Sequence, residues 1–255
     1  MKRLVSIAAP ILLIAILLAG WEASCRLFAI PTFILPPPSA VAVAAKDNLG
    51  LLSGSAWNTL RIAIIAWIAA SLIAGSIALA VSLHWVLEDA VRPLAVILQV
   101  TPIVAIAPLV NIWAGLDHPE RGVVALATVV AFFPIFSGAL TGLKAADPDL
   151  ERLFDLYGAS RVQRLIRLRL PSAVPFILQG HKVAAGLALV GAVVAEYVAG
   201  SGGAQGLAWR ILEAQHRLQT AKMLAALLVL AAMAVVLYSG LQLAEQGILR
   251  RWRGR

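Results

Sequence analysis

Few side chains of this 255-residue sequence have the types and spacing that support catalysis. No Gly-Lys pair occurs in it, so the glycine-rich loop that uses a lysine to hold phosphate is absent, and we expect this chain to hydrolyse no ATP by itself. The segment LLSGSAW at 51–57 resembles the start of an ATPase signature but lacks the glycine and glutamine that would follow, and we predict an ordinary turn there. The four histidines share no helical face, and no Ser, His and acid grouping stands out. We therefore predict neither a metal site nor catalytic residues.

Glu196 is the carboxylate most clearly placed inside an apolar block, within GAVVAEYVAG. A charge there is costly unless it is paired or faces water, so such a residue marks either a functional site or a pair with a neighbouring helix. Both alternatives stay open from the sequence. The functional one predicts that Glu196 lies along a solute path or at its outer gate.

A second set of polar side chains lies in the apolar block at 94–116. Interior prolines in this block each free a backbone carbonyl and bend a helix, which a membrane tolerates where neighbours or a water-filled path satisfy the freed groups. The polar residues of the block are Gln99, Thr101 and Asn111. They indicate the lining of a path, with hydrogen bonding between helices as the alternative.

The segment DPDLERLFDLYGASRVQRLIRLRLPSAVP at 147–175 concentrates arginines between two apolar blocks. Asp147, which a proline follows, predicts the start of a short helix, and Gly158 predicts its end through a residue with positive φ. Ser160 predicts the cap of a second short helix, which Pro171 ends. Two amphipathic helices of this kind suit either anionic lipid at the membrane surface or a docking element for a partner protein.

The apolar blocks around these residues determine the class of protein. The chain is 61% hydrophobic and 13% charged, with a mean hydropathy of +0.89, whereas soluble domains carry roughly 25% charged residues. The apolar residues fall into separate blocks of about 20, the length that spans ~30 Å of hydrocarbon. We predict an all-α membrane protein that forms one domain over 1–255, without an inverted repeat. Its six membrane-spanning helices are predicted at 4–28, 60–83, 94–116, 122–143, 176–199 and 223–248.

The position of the basic residues explains the net charge of +8. With the N-terminus inside, six spans place thirteen of the 21 Lys and Arg residues on the cytoplasmic side and seven outside, with Lys182 inside the fifth span. That bias is the positive-inside pattern, so nucleic-acid binding is not needed to explain it, and both termini are predicted to be cytoplasmic. The cytoplasmic set is Lys2, Arg3, Arg92, Lys144, Arg152, Arg161, Arg164, Arg167, Arg169, Arg250, Arg251, Arg253 and Arg255. The outer set is Arg26, Lys46, Arg61, Arg121, Arg210, Arg217 and Lys222.

The arginine-rich segment carries a family resemblance. Gly158, Ala159 and Ser160, with a leucine-rich end at fixed distances from the glycine, resemble the EAA loop of permease subunits in bacterial ABC importers. FILPPPSAV, APLVNIWAGL, FFPIFSGALTGL and LPSAVPFILQG extend the resemblance over almost the whole chain, which is most similar to the nitrate, sulfonate and taurine branch. The chain departs from the motif at 152–154, where Arg-Leu-Phe stands in place of Glu-Ala-Ala.

The resemblance implies a six-helix type I importer permease with a MetI-like fold in the bacterial inner membrane. It implies a cytoplasmic coupling loop over 144–171, a second permease copy that makes a homodimer, and an ATPase subunit that binds the ATP, since this chain needs no cofactor. It also implies a periplasmic or lipid-anchored binding protein that delivers a small solute, such as nitrate, taurine, a sulfonate, or a pyrimidine or vitamin precursor. The positions implied to contact the ATPase are Asp155, Gly158, Ala159, Ser160, Leu168, Leu170 and Pro171.

Two other classes of protein compete with this interpretation. A secondary transporter or channel would move solute without an ATPase, and the coupling loop and the lack of repeats argue against it. A membrane-embedded enzyme would need a converging polar site, which the sequence does not indicate.

Overall fold

The computed structural model describes residues 2–83, 85–115, 118–200 and 205–253, and all regular structure in those ranges is helical. Eleven α-helices and one π-helical segment follow one another along these ranges. They are α1 Lys2–Leu27, α2 Pro38–Asp47, α3 Leu49–Ser82, α4 Trp85–Val100, α5 Ile103–Ala114, α6 Pro119–Leu143, α7 Pro148–Leu156, α8 Arg161–Arg164, the π segment Leu165–Arg169, α9 Leu170–Ala199, α10 Leu207–His216 and α11 Thr220–Arg253.

The centre of the fold is the packing of α6 against α9, with α3 beside both. Small residues let these backbones approach closely, as is common between membrane helices. A methyl group built on Gly138 would lie 2.9 Å from the Phe176 carbonyl oxygen, and one on Gly180 would lie 2.7 Å from the carbonyl oxygen of Pro134. Alanines of α3, α6 and α9 fill the rest of this core, and the stacked rings of Phe132 and Phe136 lie among them.

The prediction of six membrane segments is confirmed when one bent helix pair counts as a segment. Five helices in the described residues are long and apolar enough to cross a membrane, and the pair Val86–Val100 and Ile103–Ala114 passes the same test with a bend of 101° between them. The bend lies at Thr101 and Pro102, where proline cannot continue the hydrogen-bond ladder. The third span predicted at 94–116 is therefore wrong as a single helix, since α4 begins nine residues earlier and α5 turns away from it.

The connections outside the core hold more helix than the sequence predicted. The second span was predicted to begin at 60, but α3 begins at Leu49, so the turn predicted at 51–57 is wrong. Leu52 and Ser55 of this first part of α3 are buried, which explains why the helix persists there. The short helices α2 and α10 were not predicted, because each is ten residues long and gains its stability from packing on α11.

The first and last helices lie at the periphery. In α1 6% of the apolar window is buried and in α11 11%, against 50% in α6, as expected of helices whose outer faces contact lipid or another chain. Lys182 of α9 and Glu245 of α11 nevertheless form an ion pair of 2.6 Å, and both side chains are mostly buried. The Lys182 ammonium also lies 6.0 Å from the ring centroid of Tyr238. This pair joins the last helix to the core.

Candidate transport cleft and coupling segment

The segment between α6 and α9 begins with the caps that the sequence predicts. The Asp147 carboxylate accepts a hydrogen bond of 2.8 Å from the Asp149 N–H, and α7 starts at Pro148. The Ser160 hydroxyl accepts from the Gln163 N–H, while the Gln163 side chain accepts from the Ser160 N–H, which makes a complete capping box. The structure confirms both predicted helix starts, with Asp147 as the N-cap of α7 and Ser160 as the N-cap of α8.

The turn between the two helices depends on Gly158. Its φ is +65°, a conformation that glycine adopts without strain, and the Ala159 N–H donates to the Phe154 carbonyl at 3.0 Å to close the turn. Leu156 and Tyr157 lie just before it and are 85% and 82% exposed. Two large side chains with apolar surface therefore project from this tip and are almost fully exposed.

Carboxylates of α7 hold the arginines that follow the turn. Glu151 contacts the Arg169 guanidinium at 2.7 Å and that of Arg164 at 3.4 Å, and Arg164 also pairs with Asp155. Since Glu151 and Arg164 are largely buried, these pairs fix α7 against the start of the next helix. Asp155, which was predicted to contact the ATPase, thus forms an ion pair with Arg164 inside the same segment.

The prediction that Pro171 ends the second short helix is wrong. Helical structure is continuous from Arg161 to Ala199, through the π segment at 165–169 and into α9. Pro171 lies in the first turn of α9, directly after the π segment, so the wider turn takes up the distortion that proline would otherwise cause. Of the predicted coupling residues that follow the turn, Leu168 is buried and Leu170 is half-buried, so these two pack inside the subunit.

The start of the coupling segment contacts α4. Lys144, the first residue of the coupling segment, donates to the Glu88 carboxylate at 2.5 Å, and Glu88 is buried. Arg92 lies 4.0 Å from the same carboxylate. Because Gln99 lies on α4 as well, the coupling segment and the predicted path are connected through one helix.

A cleft of about 390 Å³ lies between α4, α6 and α9, and Gln99 lines it. The other polar groups of its wall are the hydroxyls of Ser137 and Thr141 and the amide of Gln179, while Phe133 and Phe176 supply aromatic surface. None of the residues that line this cleft in the described part of the chain is charged. Four polar side chains on an exposed face of membrane helices are costly in lipid, so this face belongs against water or protein.

Thr101 and Asn111, the other polar residues of the block at 94–116, do not line this cleft. The Thr101 hydroxyl donates to the Ile97 carbonyl at 2.6 Å, so it satisfies the end of α4. Asn111 packs against Gly122, where any larger residue would collide with the Asn111 side chain. Its buried amide oxygen has no hydrogen-bond partner among the residues that the structure describes.

Glu196 lies wholly inside the subunit, with 0% of its surface exposed. Its carboxylate accepts hydrogen bonds from the Thr59 hydroxyl at 2.9 Å and from the Ala208 N–H at 3.2 Å. The Thr59 hydroxyl accepts in turn from the Leu207 N–H at 2.9 Å. Gly206 leaves the room that the carboxylate occupies, because a Cβ there would overlap it. Glu196 therefore binds the start of α10 to α3, which matches the structural alternative rather than an exposed path.

Charged groups hold the rest of α10 in place. The Arg210 guanidinium donates to the Ser55 hydroxyl at 3.0 Å and to the Glu213 carboxylate at 2.9 Å. The Arg210 hydrogen bond holds the pKa of Glu213 below its usual range, against the opposing effect of burial. A carboxyl with a lowered pKa stabilises the fold at neutral pH, and that contribution is lost as the pH falls through its titration range.

Metal ligation is not supported by the described ranges. In them, no group of three or more His, Cys, Asp or Glu side chains is close enough to hold a metal ion, and His84 lies outside them.

The described residues combine apolar helices that can cross a membrane, an uncharged polar cleft and a capped, charged segment. These features together indicate the class of membrane transport components.

Comparison with known proteins assigns the family. Residues 68–252 match the family described as binding-protein-dependent transport system inner membrane component, and the chain belongs to this family. It is 31% identical to the formylaminopyrimidine transport permease protein ThiX of Halalkalibacterium halodurans, over 99% of each chain. It is 32% identical to the riboflavin transport system permease protein RibX of Chloroflexus aurantiacus, over 93% of this chain and 87% of that one. Against the taurine transport system permease protein TauC of Escherichia coli the identity is 29%, over 94% and 88%. The chain is thus the permease subunit of an ABC transporter.

Sequence analysis missed most of the cleft. Ser137 and Thr141 are four residues apart on α6, and Phe176, Gln179 and Val183 follow a helical spacing on α9, so each pair or triplet shares a face. That periodicity was available in the sequence, but the contact between the two faces was not. The exposed tip at Leu156 was missed because a leucine in an amphipathic helix predicts burial.

Proposed function

We propose that this chain couples ATP hydrolysis by a separate ATPase subunit to movement of a small solute through a path that two permease copies form. The exposed apolar tip of the coupling segment carries the proposal. Leu156 and Tyr157 lie beside the Gly158 turn, which ion pairs hold in place, and an exposed apolar pair at such a place is best satisfied by a groove of another protein. Docking of the ATPase there would transmit its closure through Lys144 and Glu88 to α4.

The uncharged cleft supports a path shared between two copies. It opens on the surface of one subunit, and a second copy of the same chain would enclose it from the other side. A homodimer therefore supplies two matching walls of amide, hydroxyl and aromatic groups. A binding protein on the outer side would deliver the solute, as the description of the family indicates.

The relatives guide the choice of solute. Their names specify transport of formylaminopyrimidine, riboflavin and taurine. We propose a solute from the same range, a pyrimidine or vitamin precursor or a small sulfonate. The competing function, a transporter or channel that works alone, predicts solute flux in liposomes that contain only this chain; flux without an ATPase would replace our proposal.

We propose that both termini and the coupling segment face the cytoplasm. The excess of Lys and Arg on that side supports this orientation. A Ser160→Cys variant should react with a membrane-impermeant maleimide in inside-out vesicles and stay unlabelled in intact spheroplasts. Labelling in the intact spheroplasts would reverse the orientation.

Gly158→Val should uncouple the transporter. Valine at φ +65° costs about 1–2 kcal/mol and adds bulk to the surface that meets the ATPase. We expect the membrane helices to fold, while binding-protein-stimulated ATP hydrolysis in nanodiscs falls about tenfold or more. Co-purification with the ATPase subunit measures assembly in the same preparation.

Gly158→Asn is the matched control, because asparagine tolerates positive φ and no described residue of the subunit lies within 4 Å of a Cβ at this position. If only the valine variant fails, the geometry of the turn matters; if both fail, the added side chain blocks the ATPase. Full assembly, stimulation and uptake in both variants would contradict docking at this turn.

A further inference from the structure

A polar cavity formed partly by the second helix of the coupling segment lies apart from the apolar tip that is proposed to meet the ATPase. It has a volume of about 230 Å³ and lies between the end of α3 and the helix that follows Ser160. Its wall is made by Ser82, Leu83, Arg161, Arg164, Leu165 and Arg169. Half of the residues around this cavity are therefore arginines.

The charges around the cavity favour an anion. Arg164 and Arg169 are paired with two carboxylates, Glu151 and Asp155, which hold the guanidinium groups in place. Arg161 forms no ion pair among the described residues, so the cluster keeps one positive charge in excess. Arginines held in advance lose little conformational freedom when they bind a phosphate with two parallel hydrogen bonds.

Exposed apolar surface near the cavity favours a lipid over a dissolved anion as its ligand. Val162 and Ile166 lie on the same helix and are 61% and 58% exposed, and Leu83 on the opposite wall is 44% exposed. The cavity also lies at the end of α3, a helix long and apolar enough to cross a membrane, and lipid headgroups are expected at the end of such a helix. Exposed aliphatic side chains beside a basic cavity suit a ligand that carries both a phosphate and hydrocarbon chains.

We propose that this cavity binds the phosphodiester group of an anionic phospholipid, with its acyl chains against Val162 and Ile166. The bound lipid would join the end of α3 to α8 and the π segment. The site is distinct from the tip at Leu156 and Tyr157, so its occupancy does not require the ATPase.

The test uses the full chain in neutral detergent, titrated with dioleoylphosphatidylglycerol, with bound lipid counted by native mass spectrometry. Arg161→Gln should lower the affinity for this lipid about tenfold, since one charge-assisted contact is lost. Arg167→Gln is the control, because Arg167 is an exposed arginine of the same helix that does not line the cavity. We expect it to change the affinity less than about twofold. Wild-type protein should bind dioleoylphosphatidylcholine more weakly than the anionic lipid.

Three results would overturn the proposal. Equal losses in Arg161→Gln and Arg167→Gln would mean that the lipid senses only the overall surface charge. Displacement of the lipid by millimolar inorganic phosphate would identify dissolved phosphate as the ligand. Equal affinity of the wild-type protein for the anionic and zwitterionic lipids would leave the cavity without a headgroup preference.

Discussion

Gly180→Val is expected to destabilise the subunit by about 1–3 kcal/mol or more, the usual cost of overpacking a well-packed core. The new Cβ would lie 2.7 Å from the Pro134 carbonyl oxygen, and it would meet α6 where Gly138 also lacks a side chain. Backbone atoms cannot rotate away as a side chain can, so α6 and α9 must separate. Thermal unfolding of the detergent-solubilised protein, followed by circular dichroism, measures the loss.

Gly186→Val controls for the change of residue type. Gly186 lies on the same helix with an exposed surface, and no atom of the described ranges lies within 4 Å of a Cβ built there. We expect its stability to change by less than about 0.5 kcal/mol, as for other exposed substitutions. Equal stability of the two variants would mean that the close approach of α6 and α9 does not determine the fold.

Glu196→Leu is expected to cost about 1–3 kcal/mol, because the buried Ala208 N–H then has no acceptor. The buried Thr59 hydroxyl loses its acceptor in the same variant and adds to the loss. The start of α10 should become mobile, and amide hydrogen exchange at 207–216 should speed up before the rest of the protein exchanges.

Glu196→Gln separates the structural role from a role in transport. Glutamine keeps an oxygen that can accept from Ala208, so we expect nearly normal stability and normal uptake if Glu196 only anchors α10. Normal stability with altered uptake would instead support the functional alternative that the sequence left open. Wild-type behaviour of Glu196→Leu in both measurements would contradict an anchoring role.

Local chemistry was predictable from the sequence, and long-range contacts were not. Asp147 and Ser160 act on N–H groups two and three residues away, so their capping roles follow from neighbouring residues alone. Glu196 takes its hydrogen bond from Thr59, 137 positions earlier in the chain, and no local pattern specifies that partner. The position of Glu196 in an apolar block marked this residue as important, but the sequence could not show which groups it binds.

The residues predicted for the path show the same difference between local patterns and long-range contacts. Gln99 was predicted because a polar residue in an apolar block is unusual, and it does line the cleft. Thr101 and Asn111 have the same local signature, but the bend of 101° at Thr101 directs α5 away from the cleft. Proline predicted a bend, whereas the size of the bend depends on how α4 packs on α3 and α6 and how α5 packs on α6 and α9.

The π segment at 165–169 has a consequence for how the two ends of one long helix are oriented. A π turn accommodates one residue more than an α turn, so it acts as a single-residue insertion that rotates everything after it by about 100° around the helix axis. The end of the helix that carries the arginines and the end that lines the cleft are therefore rotated about the helix axis relative to each other, compared with their positions in an uninterrupted α-helix. They nevertheless belong to one continuous helix. Deleting one residue there would restore an ordinary helix, and the two ends would keep their own sequences but face the wrong neighbours.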